Sequence, residues 1–197
     1  MEKMSHKART RQRILDEAAR IMREVGTEGI GVAALMKRVG LTHGGFYAHF
    51  SSREELVQAV IQQMFIDSAQ RIDAATHTRD PANQLRQFID FYLSETHRNH
   101  PAEGCPLPAL MSEAAHLPVE TRMLFTEGME AMCQRLAHPL RELGYVQAED
   151  LAMTMLAEMS GALALARACP DDARASQILA LSRHALKVRA GLEKEAA

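Results

Sequence analysis

A chain of 197 residues that is 47% hydrophobic is long enough for one sizeable core, or for a small domain joined to a larger one, and its composition is neither disordered nor fibrous. Its three cysteines, Cys105, Cys133 and Cys169, are far apart and odd in number, which argues against a disulfide framework and offers no zinc-like Cys-x-x-Cys pair. The formal net charge of -2 is unevenly spread: residues 1–53 hold ten Lys and Arg against five Asp and Glu, a charge of +5, which leaves -7 for the remainder. A basic head on an acidic body points to a polyanionic partner for the head, against the plainer alternative of a solvated surface. No apolar run follows the basic start MEKMSHKARTRQR, so neither a signal peptide nor a membrane span is expected, and the cytoplasm is the expected compartment.

Apolar residues recur at helical spacing over most of the length, and the expected fold class is all-α. Residues 7–25 place Ile14, Leu15, Ala18, Ile21, Met22 and Val25 on one face and end at Gly26, a favoured residue just past a helix. A helix of two turns over 32–39 closes at Gly40. A short helix follows, from His43 to His49 or Phe50, with Thr42 as its N-cap. Ser51 and Ser52 before Arg53-Glu54-Glu55 suit the start of a long helix over 53–76. Asp80-Pro81 opens another, in which Leu85, Phe88, Ile89, Tyr92 and Leu93 keep the helical period until His100-Pro101. PAEGCPLP reads as a loop, with helices expected over 108–115, 118–143, 148–168 and 172–192. In the last, Ile178, Leu181, Ala185, Val188 and Leu192 form a narrow seam of the kind a helix presents to a nearly parallel neighbour.

The stretch LTHGGFYAHF, residues 41–50, puts three aromatics, two histidines and two glycines into ten residues of a chain that is 5% aromatic. Two short helices across a glycine turn are the pattern of a helix-turn-helix, whose second helix enters the major groove. On that reading Phe46 and Phe50, four apart, pack inward. Gly44 and Gly45 keep one corner small enough for the backbone to approach base edges or phosphates. Tyr47 and His49 project outward with donors for phosphate oxygens. His43, at the leading end, is the candidate for touching bases, and Thr42 caps the helix or bonds a phosphate.

Residues 8–61 resemble the DNA-binding domain of the TetR/AcrR family of bacterial transcriptional regulators. The resemblance rests on an amphipathic first helix ending in Gly, a short second helix, and the matched residues Gly40, Gly44, Tyr47, His49, Phe50, Arg53, Glu54 and Leu56. It adds Arg53 to the expected DNA-contacting set. Two departures stand out: Gly31 occupies the place of the usual Thr or Ser cap, and Met36 that of an alanine between the two short helices. The resemblance implies a DNA-binding domain over 1–52 and a helical ligand-binding and dimerisation domain over 53–197. It also implies a homodimer through the last two helices, a palindromic double-stranded operator, and release by a small-molecule effector, with no cofactor and no metal.

Within such a body the candidate effector contacts are Met64, Phe88, Tyr92, Cys105, Met111, Phe125, Met129, Met159 and Leu163, each equally readable as ordinary core. Cys105, between Gly104 and Pro106, has a second reading as a redox- or electrophile-sensing thiol, which would need access and a lowered pKa. An enzyme is the rival class. The nine histidines form no recognisable Cys-His or Ser-His motif, and neither a phosphate-binding glycine loop nor a His-Glu-x-x-His signature occurs. An RNA-binding module is disfavoured because RNA duplexes do not open their major groove to side chains.

Overall fold

The computed structural model describes residues 5–29 and 31–194. Among them every regular element is helical: α1 (His6–Val25), α2 (Val32–Arg38), a 3-10 segment (His43–Ala48), α3 (Arg53–Ala75), α4 (Pro81–Tyr92), α5 (Glu95–Asn99), a 3-10 turn (Pro101–Glu103), α6 (Pro106–Ala114), α7 (Val119–Glu142), α8 (Ala148–Ala168) and α9 (Asp172–Arg189). They gather into two compact units, one of Met1–Ile66 with Pro101–Thr126, the other of Asp67–His100 with Glu127–Ala197. α3 and α7 contribute residues to both.

In the first unit the apolar stripe of α1 buries Ile14, Leu15, Ala18, Ile21 and Met22, and α3 buries Leu56, Val60, Ile61 and Met64. Ser5 caps α1, its hydroxyl accepting from the Ala8 amide. Glycine begins α2 without a side-chain cap, as Gly31 implies. That helix closes in a Schellman turn: Gly40, at a φ of +72°, donates to the Lys37 carbonyl, and the Leu41 amide reaches back to the Met36 carbonyl at 2.8 Å. Such a turn needs a residue free to adopt a left-handed backbone. Met36 is wholly buried, so the departure from alanine is absorbed as packing volume between the short helical segments.

Four expectations change. The helix expected to run from residue 81 to about 100 breaks after Tyr92, because Ser94 accepts from the His97 amide at 3.1 Å and caps the separate α5; a serine hydroxyl competing for backbone amides does this where apolar periodicity alone sees continuity. The segment read as one loop contains a 3-10 turn, and α6 starts at Pro106, two residues earlier than expected, with proline in its first turn, where its missing N–H costs nothing. α9 ends at Arg189 rather than Leu192, as the Leu192 amide folds back onto the Lys187 carbonyl. Finally, α8 is long and apolar enough to cross a membrane by length and composition, contrary to the expectation that no segment is. Its packing accounts for that: Ala152, Met155, Leu156, Met159 and Leu163 are buried in the second unit, and a core helix carries the same composition.

The second unit is tied by side chains that hold helix ends. Tyr92 and Ser160, both buried, share a hydrogen bond of 3.0 Å. Arg183 donates to the Leu93 carbonyl at 2.6 Å, Arg167 to the His97 carbonyl at 2.7 Å, and Lys187 pairs with Asp90 at 2.7 Å. The two arginine bonds satisfy carbonyls left open where α4 and α5 stop.

Candidate nucleic-acid interface

The recognition segment differs from the helix expected between Thr42 and Phe50. It is a six-residue 3-10 helix, and Thr42 supplies no side-chain cap; its carbonyl instead accepts from the Gly45 amide at 3.0 Å. Two adjacent glycines carry the lowest helix propensity after proline, and six residues are too few to recover the nucleation cost of an α-helix. The tighter segment still delivers the expected division of faces. Phe46 and Phe50 are each 1% exposed, and their rings stack at 5.5 Å, anchoring the segment to the first unit's core.

Tyr47 points the other way, 62% exposed. Its ring is held edge-on by Phe46 at 5.3 Å and by His43 at 5.9 Å, so the phenol is oriented without being buried. His43, Gly44 and Thr42 are exposed beside it. Neither Gly44 nor Gly45 has a positive φ. A Cβ on Gly44 would meet nothing within 4 Å, and one on Gly45 would make only ordinary contacts with Thr42 and Met36. Neither backbone conformation nor internal packing demands these glycines, which leaves the outer surface as the place where a side chain would intrude.

His49 is half-buried at the end of the segment. Its buried Nδ1 has no hydrogen-bond partner. Burial first, then the charges of Lys7, Arg11 and His6, push its pKa below the ordinary histidine value. Arg11 lies over the Phe50 ring at 4.7 Å, a cation–π contact. Arg11 of α1 thus packs against the end of the recognition segment, a contact the sequence reading missed; the signal was the i, i+4 pair Lys7 and Arg11 on one helix face. Arg53 is engaged elsewhere: it donates to Glu28 Oε1 at 2.8 Å and to the Thr27 carbonyl, tying the start of α3 to the turn after α1.

The nine candidate effector contacts divide between the units. Met64, Cys105 and Phe125 are buried in the first, whereas Met111 is 49% exposed, a surface position rather than a cavity wall. Phe88, Tyr92, Met159 and Leu163 are buried in the second, and Met129 is half-buried there. Of the nine, Phe88 alone lines a cavity of about 310 Å3 in the second unit. That cavity lies between α3 and α4 (Ile72, Asp73, Thr76, Gln84, Phe88) and α7 (Ala131, Gln134, Arg135, His138, Pro139). Arg135 and Asp73 pair at its wall in a two-point bridge of 3.1 and 3.3 Å. Pro139 lies inside α7, and its missing N–H leaves the Arg135 carbonyl without the usual helical donor. Among the described residues no group of three or more His, Cys, Asp or Glu is placed to hold a metal.

A compact helical trio whose third segment carries exposed Tyr and His over two buried Phe, beside a cationic helix end, defines a helix-turn-helix DNA-binding protein. The family model "Bacterial regulatory proteins, tetR family" matches residues 14–60, and the model "Transcriptional regulator LmrA/YxaF-like, C-terminal domain" matches residues 81–178. The chain is 30% identical over 143 residues to the HTH-type transcriptional regulator UidR of Escherichia coli, covering 69% of each. It is 25% identical over 137 residues to the HTH-type transcriptional regulator LmrA of Bacillus subtilis, covering 68% of this chain and 73% of that one. Solved structures share the fold: a TetR-family regulator from Cytophaga hutchinsonii aligns with a TM-score of 0.82 at 20% identity, over 99% of this chain and 100% of that one. The reduced form of NemR from Escherichia coli aligns with a TM-score of 0.79 at 20% identity, over 91% and 95%. The chain belongs to the TetR family of bacterial transcriptional regulators, DNA-binding proteins that are not enzymes.

Proposed function

We propose that this regulator is a cytoplasmic homodimer that represses transcription from a palindromic operator and is released by a small molecule. The recognition segment carries the reading: His43 meets base edges, Tyr47, Thr42 and His49 meet phosphates, and Gly44 and Gly45 let the backbone come close. Arg53 acts from behind by fixing the start of α3. Residues 1–52 supply DNA binding, and residues 53–197 supply effector binding and dimerisation.

The dimer surface is the outer face of α8 and α9. Leu165 is 63% and Leu181 60% exposed, Ala185 is exposed, and Ile178, Val188 and Leu192 are half-buried. An apolar strip left open on two adjacent helices suits a second copy of the same pair. Two such copies would set recognition segments roughly 34–36 Å apart, one helical turn of DNA. A cavity in the second unit, with Arg135, Asp73, Gln84 and Gln134 among apolar neighbours in its wall, supports an effector site there. Release then follows if the effector binds better to the form whose two segments no longer match successive grooves. Cys105, 2% exposed, lacks the access a sensing thiol needs, and packing is the role that fits it. Selection of bound fragments from genomic DNA, followed by a screen for compounds that release them, tests the whole reading; recovery of random fragments only, or fragments without inverted repeats, would contradict it.

A further inference from the structure

We propose that the cavity between α3, α4 and α7 takes an uncharged molecule with a flat apolar body and an amide- or hydroxyl-type group, and discriminates against organic anions and cations of the same shape. The inference rests on the effector reading and names the chemical class of that site. The cavity holds about 310 Å3, which stands at the small end of ligand pockets. One water has a share of roughly 30 Å3 in the liquid, so there is room for a body of about two fused rings. Ile72, Phe88, Ala131 and Pro139 supply the apolar wall. The Phe88 ring, held parallel to Tyr92 at 6.3 Å, is the surface on which a flat body can stack.

The charges in the wall cancel. Arg135 donates from Nε and Nη2 to the two oxygens of Asp73 at 3.1 and 3.3 Å, and from Nη1 to the Ala131 carbonyl at 3.5 Å. A guanidinium engaged on all three nitrogens has no fork left for a ligand carboxylate. An ammonium would likewise compete with Arg135 for Asp73. His138 has the Glu142 carboxylate 3.9 Å away, so a proton on its ring is also matched. An ion entering the cavity would lose water and meet no net field of opposite sign. Neutral hydrogen bonding is what the wall offers. The Thr76 hydroxyl gives its proton to the Ile72 carbonyl at 2.9 Å, which leaves its oxygen to accept. Gln134 Oε1 accepts from Arg141 at 3.3 Å, which leaves its NH2 to donate, and Gln84 brings an amide with both functions. Pro139 adds the Arg135 carbonyl, an acceptor without its usual helical donor.

The chain has no tryptophan, so naphthyl fluorescence can be followed against little background. The full chain is titrated with naphthalene-2-carboxamide, 2-naphthoate and 2-naphthylmethylammonium, one ring system in three charge states. The carboxamide should bind at least about fivefold tighter than either ion. Asp73→Asn should shift the preference towards naphthoate, and Arg135→Gln towards the ammonium, each by about fivefold. Loss of a bridge that only holds structure would not move the two ions in opposite directions. Ala131→Phe, at an exposed position of the wall, should fill the cavity and weaken carboxamide binding by at least about tenfold. An ion that binds as tightly as the carboxamide, no binding by any of the three, an unchanged order in both charge variants, or unchanged binding to Ala131→Phe would overturn the assignment. The effector reading fails separately: compounds that release the wild type from selected DNA and act equally on Ala131→Phe would put the effector site elsewhere, while the preference of the cavity stands on the titrations.

Discussion

The carboxylate of Glu113, on α6, accepts hydrogen bonds from both the backbone amide and the hydroxyl of Thr27, each at 2.8 Å, and so closes the end of α1 from 86 residues away in sequence. Thr27 is 2% exposed. Glu113→Ala strands that buried amide, and the expected cost is about 1–3 kcal/mol in urea unfolding. Gly26, next to it, has a φ of +81°, and an added Cβ would collide with Glu113 Oε1. Gly26→Ala should therefore cost more than the about 1–2 kcal/mol of a left-handed alanine. The double variant should lose less than the sum of the two singles, because removing Glu113 removes the collision.

The two aromatics at the centre of the recognition segment should separate stability from binding. Phe46→Ala empties a site that is 1% exposed and should cost about 3–5 kcal/mol, seen as a lower Tm. Tyr47→Phe, at an exposed position, should change stability by less than about 0.5 kcal/mol. It should nonetheless weaken DNA binding by about 0.5–1.5 kcal/mol per subunit through the lost phosphate bond.

Gly44→Ala provides a sharper separation. The space beside Gly44 is open and its φ is not positive, so the variant should fold with an unchanged or slightly higher Tm, alanine being the better helix former. Its affinity for DNA should fall if the backbone there approaches the duplex. Paired Tm and anisotropy measurements check both halves.

Leu165→Glu and Leu181→Glu test the dimer. Both side chains are already exposed in the single chain, so each variant should fold as a monomer while a charge in the apolar strip blocks association. Sedimentation velocity should show the loss of the dimer, and DNA affinity should fall with it.

Acid should loosen the junction between the recognition segment and α3. The hydrogen bonds from the Ser51 amide and hydroxyl hold the Glu55 carboxyl below the usual carboxylate range. Such a group contributes its stability above the unfolded-state value and loses it as pH falls through the lower folded value. Glu55→Gln should therefore lower stability in the neutral region and flatten the acid limb, so that variant and wild type converge at low pH.

Helix ends marked by local chemistry were legible in the sequence: Gly26 and Gly40, the serines before Arg53, and Asp80-Pro81, whose aspartate does cap α4. So was the opposition of Phe46 to Tyr47, because four-residue spacing fixes which side chains share a face. The 3-10 form of the recognition segment was not read, because adjacent residues such as Phe46 and Tyr47 point to different sides in either helix type. The break at Ser94 was hidden because Leu93 keeps the apolar period. Contacts between residues distant in sequence, such as Glu113 with Thr27 or Arg11 with Phe50, leave no local trace. Apolar spacing likewise finds buried side chains but cannot tell which ones border a cavity, and so Phe88 lines one while Met111 lies on the surface.

The most direct test is the affinity of the dimer for a duplex selected from genomic DNA, compared between wild type and His43→Ala on the selected sequence and on a scrambled one. Base reading by His43 predicts that the wild type prefers the selected duplex and that His43→Ala loses most of that preference, while its binding to the scrambled duplex and its Tm stay close to wild type. Equal preference in wild type and variant would contradict the account.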